Sequence, residues 1–198
     1  MAARTGMSDL ITQLRGMANA GTADITLGGI TYHTDEQLQS TLDRHREQVE
    51  REMLDIRADY QNGTAIYTRY GFYESDVERA TSGTAAWRIE NSAGSAYSGT
   101  VGTAAADYGV NYDAREITFN SNTNGTVYYL TYRTYDMNRA AADVWEEKAA
   151  YVAGEFDVKT DNHDLKRSQK GDGYLEMAKI FKRRAKPRSS RFIREDVW

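Results

Sequence analysis

Apolar positions recur at spacings of three and four in four stretches of the chain, and at alternate positions in much of the rest. Leu10, Ile11, Leu14 and Met17 make a short helical stripe over Ser8 to Ala20. Asp24 to His33 alternates around Gly28-Gly29, the pattern of a tight hairpin. Thr34 and Gln37 form a capping box with Asp35 and Glu36 in the first turn, so a helix starts here. Leu38, Leu42, Val49, Met53, Ile56 and Tyr60 extend its stripe, with His45 among them and charges on the other face. The pattern predicts an amphipathic helix of about six turns, ended by Asn62-Gly63.

The chain then changes character. Between Thr81 and Thr126, 31 of 46 residues are Gly, Ala, Ser, Thr or Asn, too few apolar anchors for helices. Eleven of the 14 tyrosines lie between Tyr60 and Tyr135. Alternating runs at 65–70, 85–90, 108–112, 116–119 and 126–135 predict strands separated by turns such as Asn124-Gly125. Ser92 to Ala106 reads as a loop. Tyrosine of this density suits either an interface or a small sheet short of aliphatic residues, and both readings stay open. Helical spacing returns with Ala140, Ala141, Val144, Trp145, Val152 and Phe156. It returns again over 165–184, where Tyr174, Leu175, Met177, Ala178 and Phe181 form the stripe and Pro187 ends it.

The pattern predicts an α+β chain: an antiparallel helix bundle with an inserted small antiparallel β-domain and an extended basic C-terminal arm. Its parts are helices and a hairpin over 1–61, the β-domain over 62–136, the returning helices over 137–185 and the arm over 186–198. A chain of 198 residues buries about 70% of its unfolded surface, enough for a real core.

Charge changes this picture more than composition does. The net charge of −4 looks neutral, but residues 1–161 sum to −10 and residues 162–198 to +6. Eight basic residues and no acidic one lie from Lys179 to Arg194. Phe192, Ile193, Val197 and Trp198 follow or interleave with them, and such side chains are unfavourable in water but suit anchors in a partner's grooves. A body at −10 repels a duplex, and the arm lacks a second aromatic platform for bases, so a protein partner is favoured over nucleic acid.

Catalytic chemistry finds little support. The absence of cysteine excludes disulfides, thiolate catalysis and cysteine-ligated metals. His33, His45 and His163 share no metal-ligand spacing, and His45 on an apolar stripe reads as a core residue. No phosphate loop, dinucleotide fingerprint or nucleophile elbow occurs, and Gly171-Asp172-Gly173 falls within the last predicted helix. Asp43, Glu47, Glu50 and Glu52 alternate with arginines as ordinary surface pairs. The expectation is a non-enzyme with no cofactor, no catalytic residue and no metal. Mean hydropathy is −0.72 and no run approaches the ~18 apolar residues of a membrane helix, so a soluble protein of a reducing cytoplasm, without a membrane partner, is expected.

Three segments together carry a family resemblance. They are Gly125 to Asp136 (GTVYYLTYRTYD), the alanine-rich Arg139 to Phe156 (RAAADVWEEKAAYVAGEF), and Asp157 to Ala185 with Arg167-Ser168-Gln169-Lys170 opening the last helix. This arrangement resembles the head-to-tail adaptor (connector) proteins of tailed bacteriophages. Asp113 to Phe119 (DAREITF) is similar to a sheet turn of β-containing members, while the long β-insertion departs from the all-helical ones. The resemblance implies a structural virion protein in the neck, assembled in the host bacterial cytoplasm. Its partners are then the portal protein, further copies of itself in a ring of twelve, and the next tail or head-completion protein, with DNA passing through the lumen without specific binding. It implies portal contact through Lys182, Arg183, Arg184, Lys186, Arg188, Arg191, Phe192, Ile193, Arg194, Val197 and Trp198. Another neck or tail ring component (head-completion or tail-terminator), a nucleic-acid-binding module and, last, a carboxylate-based cell-wall glycosidase are the alternatives.

Overall fold

The computed structural model describes residues 3–21, 25–27, 30–80, 87–94, 108–153, 158–160, 163–165 and 168–187. In chain order these form α1 (Ser8–Ala18), β1 (Ile25–Leu27), β2 (Ile30–Tyr32), α2 (Asp35–Arg44), β3 (Arg46–Met53), β4 (Asp55–Gln61), β5 (Thr64–Gly71) and β6 (Trp87–Asn91). Then follow β7 (Tyr108–Asn111), β8 (Glu116–Phe119), β9 (Tyr128–Tyr135), α3 (Met137–Val152), β10 (Val158–Thr160), β11 (His163–Leu165) and α4 (Ser168–Arg184). A 3-10 turn, Thr5–Met7, leads into α1.

The expected helix bundle with a small β-insertion is wrong. Two antiparallel sheets, ordered β3-β9-β6 and β4-β5-β8-β7, occupy the middle of the chain, and the strands begin at Arg46, inside the helix that the stripe predicts. The capping box does start α2, with Thr34 Oγ1 accepting from Gln37 N–H and the Gln37 side chain accepting from Thr34 N–H. The helix stops at Arg44, and His45 (φ −114°, ψ 23°) turns the chain. Arg, Glu, Gln and Met are good helix formers, which makes 46–53 read as helix. Pairing along β9 overrides that preference. β3 is an edge strand, so charges on its open side cost nothing and discourage pairing with other chains. Met53 and Tyr60, assigned to the buried stripe, are 59% and 75% exposed, whereas Leu54 between the two strands is buried.

The two sheets share one core. Tyr70, Tyr108, Tyr128 and Tyr132 pack there with Phe72, Trp87 and Phe119 around Leu54, Ile89, Ile117 and Leu130. An edge-to-face contact between Tyr70 of β5 and Tyr128 of β9 (5.6 Å) joins the sheets, and a second, between Tyr70 and Phe119 (5.1 Å), lies within the four-stranded sheet. These tyrosines therefore fill a core short of aliphatic side chains. Burial pushes the Tyr108 hydroxyl up to about 12. Asn62 and Gly63, both at positive φ, make the two-residue turn between β4 and β5.

A second core gathers the helices. α3 lies at its centre, with Ala140, Ala141, Ala142 and Val144 fully buried against α1, α2 and α4. Its alanines permit the close approach that the sequence suggests. Trp145 Nε1–H and Lys148 Nζ donate to the Met17 and Asn19 carbonyls (3.2 and 2.8 Å), which ties α3 to the end of α1. Of the residues expected to line α4, Tyr174, Met177, Ala178 and Phe181 pack on this core, but Leu175 is 42% exposed. The 158–165 connection contains a short hairpin, β10 with β11.

One polar cluster joins the two cores. Glu78, after β5, is 1% exposed. It accepts from Arg4 Nε at 3.1 Å and from the Tyr135 hydroxyl at 2.7 Å, and lies 3.5 Å from Arg133 Nη1. Arg4 also grips Asp43 of α2 with both terminal nitrogens (2.9 and 2.7 Å). Beside it Arg79 N–H donates to the Gly6 carbonyl at 3.0 Å and the Arg79 side chain pairs with Asp9.

A methyl group at Gly6 would stand 2.5 Å from the Arg79 carbonyl oxygen, whereas one at Gly16, exposed in α1, would meet nothing within 4 Å. Gly6→Ala is expected to destabilise by about 1–3 kcal/mol and Gly16→Ala to stabilise by up to about 1 kcal/mol; thermal melts of the two variants check this. On the outer face of the four-stranded sheet Glu116 accepts from Arg69 (2.7 Å) and Arg57 (3.1 Å), and the hydrogen bond from Arg69, foremost, holds its carboxyl below the ordinary value. A lowered folded pKa gives stability that is present above the ordinary 4.5 and is lost as pH falls through the folded value. The deficit of Glu116→Gln, under about 1 kcal/mol at pH 7 for a solvent-screened cluster, should therefore vanish in acid denaturation series below that point.

Candidate functional site

The candidate site is the point at which α4 gives way to the basic C-terminal segment. Of the eleven residues assigned to partner contact, Lys182, Arg183, Arg184 and Lys186 are described. Arg188, Arg191, Phe192, Ile193, Arg194, Val197 and Trp198 lie outside the described residues.

The last turn of α4 carries Lys182, Arg183 and Arg184, cations placed favourably at the negative end of the helix dipole. Their surroundings differ. Lys182 Nζ meets Glu146 of α3 at 2.6 Å. Arg183 and Arg184 are exposed, and among the described residues neither guanidinium has a carboxylate within 4.0 Å. The Arg184 carbonyl accepts from Asn138 Nδ2 at 3.3 Å, which satisfies one of the free acceptors at the helix end.

Lys186 is held on three sides. Its N–H donates to Asp136 Oδ2 (3.1 Å), its carbonyl accepts from Arg139 Nη2 (3.0 Å), and its ammonium pairs with Glu74. Asp136 is the N-cap of α3. Its Oδ1 accepts from Arg139 N–H and its Oδ2 from Arg139 Nε, both at 3.1 Å. Asp136 N–H in turn donates to the His45 carbonyl at 3.1 Å, which joins the start of β3 to the start of α3. Asp76, on the same loop as Glu74, lies close enough to feel the Lys186 charge. Burial raises its carboxyl above the ordinary value and Lys186 partly opposes that rise.

Under Lys186 and Pro187 is a cavity of about 270 Å³, whose walls include Arg46, Glu47, Asp136 and Arg139. A second, of about 260 Å³, adjoins it beside Asp143 and Lys182. Walls built from charged side chains differ from the mostly apolar lining of small-molecule sites. His45, expected as a satisfied core residue, is only half so: Nε2 lies 2.8 Å from Asp143 Oδ2, and Nδ1 is buried with no hydrogen-bond partner among the described residues. No group of three or more His, Asp or Glu side chains suited to a metal ion occurs among the described residues. No helix there is long and apolar enough to cross a membrane.

The sequence pattern points to the cations of this site and misses their counter-ions. Asp136, expected only as the end of the β-domain, sits one residue before helical spacing resumes, and an Asp at that position is the signal by which its N-cap role could be found. Nothing local marks Glu74, 112 residues from Lys186, because folding alone brings them together. No family model, curated protein or solved structure matches this chain.

The geometry separates strong contacts from weak ones. Asp136→Ala removes the N-cap of α3 together with the Lys186 and Arg139 contacts, and is expected to cost about 1–2 kcal/mol. Glu146→Gln removes only an exposed ion pair to Lys182 and should cost under about 1 kcal/mol. Urea unfolding of the two variants checks the difference.

Proposed function

We propose that this protein is a non-enzymatic virion component, the adaptor ring between the portal and the tail of a tailed phage, which docks to the portal through its C-terminal segment. The observation that carries the reading is the division of charge. A body at −10 ends in a segment at +6 in which Arg183 and Arg184 are exposed and unpaired among the described residues, followed by Arg188, Arg191 and Arg194 interleaved with Phe192, Ile193, Val197 and Trp198. Unpaired guanidinium groups steer a chain toward an acidic surface, and aromatic and aliphatic anchors give the bound state its lifetime. Repetition around a ring multiplies a modest contact into a firm one. Support also comes from the resemblance of 125–136, 139–156 and 157–185 to head-to-tail adaptors.

In this reading the acidic body serves a lumen that must let DNA pass without gripping it. The β-sandwich has no counterpart in the all-helical adaptors, and it supplies a rigid body on which the helical core and its basic segment are mounted.

Deletion of Ser189 to Trp198 tests the proposal. The described core ends before this segment, so the truncated protein is expected to keep its circular dichroism and melting temperature and to lose binding to DNA-filled, tailless capsids in sedimentation. Truncated protein that joins capsids as tightly as the full chain would overturn the docking role.

A further inference from the structure

We propose that Glu74, Asp136 and Arg139 are positioning residues for the C-terminal segment: together they clasp Lys186 and set the direction in which the chain continues beyond Pro187. The inference rests on the docking reading and adds to it the device that aims the docking segment.

The clasp uses every polar group of one residue. The Lys186 N–H goes to Asp136 Oδ2, the carbonyl to Arg139 Nη2 and the ammonium to Glu74. A helix end needs none of this to stop, since Pro187 stops it already. Three contacts on the residue immediately before the proline instead fix the backbone at the exit point. They come from different parts of the fold. Asp136 and Arg139 open α3, and Glu74 follows β5. The exit is thus referred to the helical core and to the sandwich at once. Asp136 also accepts from Arg139 N–H and Nε, so the clasp is built on a helix cap whose geometry is already determined.

Pre-orienting a segment removes part of the ordering cost that binding would otherwise incur. In a ring it also gives every subunit's segment the same heading, which simultaneous engagement requires. The Lys186–Glu74 pair is about half exposed on the lysine side (48%) and a third on the glutamate side (35%), so it is open to screening by salt and to competition from a partner's carboxylate.

An arginine-specific protease reads the clasp directly in the full chain. Such a protease binds the residues before the scissile bond as an extended strand, and for cleavage after Arg188 those residues are Lys186 and Pro187. Cleavage after Arg194 makes no such demand. In low salt, wild-type protein should be cut after Arg188 more slowly than after Arg194, by mass spectrometry of the products over time. Glu74→Lys should raise the rate at Arg188 by about two- to fivefold, the range of an exposed ion pair, and leave Arg194 unchanged. The swap Glu74→Lys with Lys186→Glu should restore the wild-type rate. Equal rates at the two sites in wild type, no effect of Glu74→Lys, or a swap that fails to restore protection would each overturn the clasp. Capsid binding of the same proteins keeps the two ideas apart. Protection at Arg188 without capsid binding refutes docking alone, whereas capsid binding with no effect of Glu74→Lys on Arg188 refutes the clasp alone.

Discussion

Glu78 is the constraint on which the arrangement of this molecule depends. A carboxylate that is 1% exposed must be compensated, and its partners come from separate places: Arg4 before α1, Arg133 and Tyr135 on β9. Arg4 extends the cluster to Asp43 on α2. The helical core and the sandwich therefore meet around one buried charge whose bonds work only at one relative placement. Burial, and then the bond to Glu78, raise the Tyr135 hydroxyl above its ordinary value, as expected of a buried phenol that donates to a carboxylate. Removing Arg4 would leave Glu78 undercompensated at a cost of about 3 kcal/mol, the low end for a buried pair because Arg4 is partly exposed.

The same strand carries this junction to the candidate site. Tyr135 completes the cluster, and Asp136, the next residue, caps α3 and holds Lys186. One step along the backbone thus separates what joins the two cores from what fixes the root of the basic segment. The His45 carbonyl, bonded to Asp136 N–H, brings the start of β3 to the same place. The exit of α4 lies at the waist between the cores and not at the free end of a bundle.

What could be read from the sequence follows from where the information lies. Local signals were dependable: the Thr34–Gln37 box, the strand Glu116–Phe119 and the alanine-rich α3 all occur where the pattern puts them, whereas Asn62-Gly63, expected to end a helix, turns between two strands. The failure was Arg46 to Gln61. Val49, Met53, Ile56 and Tyr60 fit a helical stripe, and their neighbours prefer helix, yet the segment forms two edge strands. An edge strand tolerates charge on most of its surface and so loses the alternation by which strands are recognised. What decides the state of β3 is β9, more than 70 residues away, which no local pattern contains, whereas β4 pairs with its neighbour β5 across the Asn62-Gly63 turn. The counter-ions of the site were hidden for the same reason: Lys182, Arg183, Arg184 and Lys186 announce themselves as a run, whereas Glu74 and Glu146 gain meaning only when the chain is folded.

A segmented charge distribution, an exit at the junction of the two cores and a basic end with apolar anchors are the observations behind the proposed account, a ring subunit that reaches for its neighbour in a particle. The most direct measurement is a reconstruction of the neck of intact particles that contain this chain. The account predicts a ring of this chain immediately below the portal, with the segment ending at Trp198 lying against portal surface. Finding the chain elsewhere in the particle, or in that ring with its C-terminal segment clear of the portal, would contradict it.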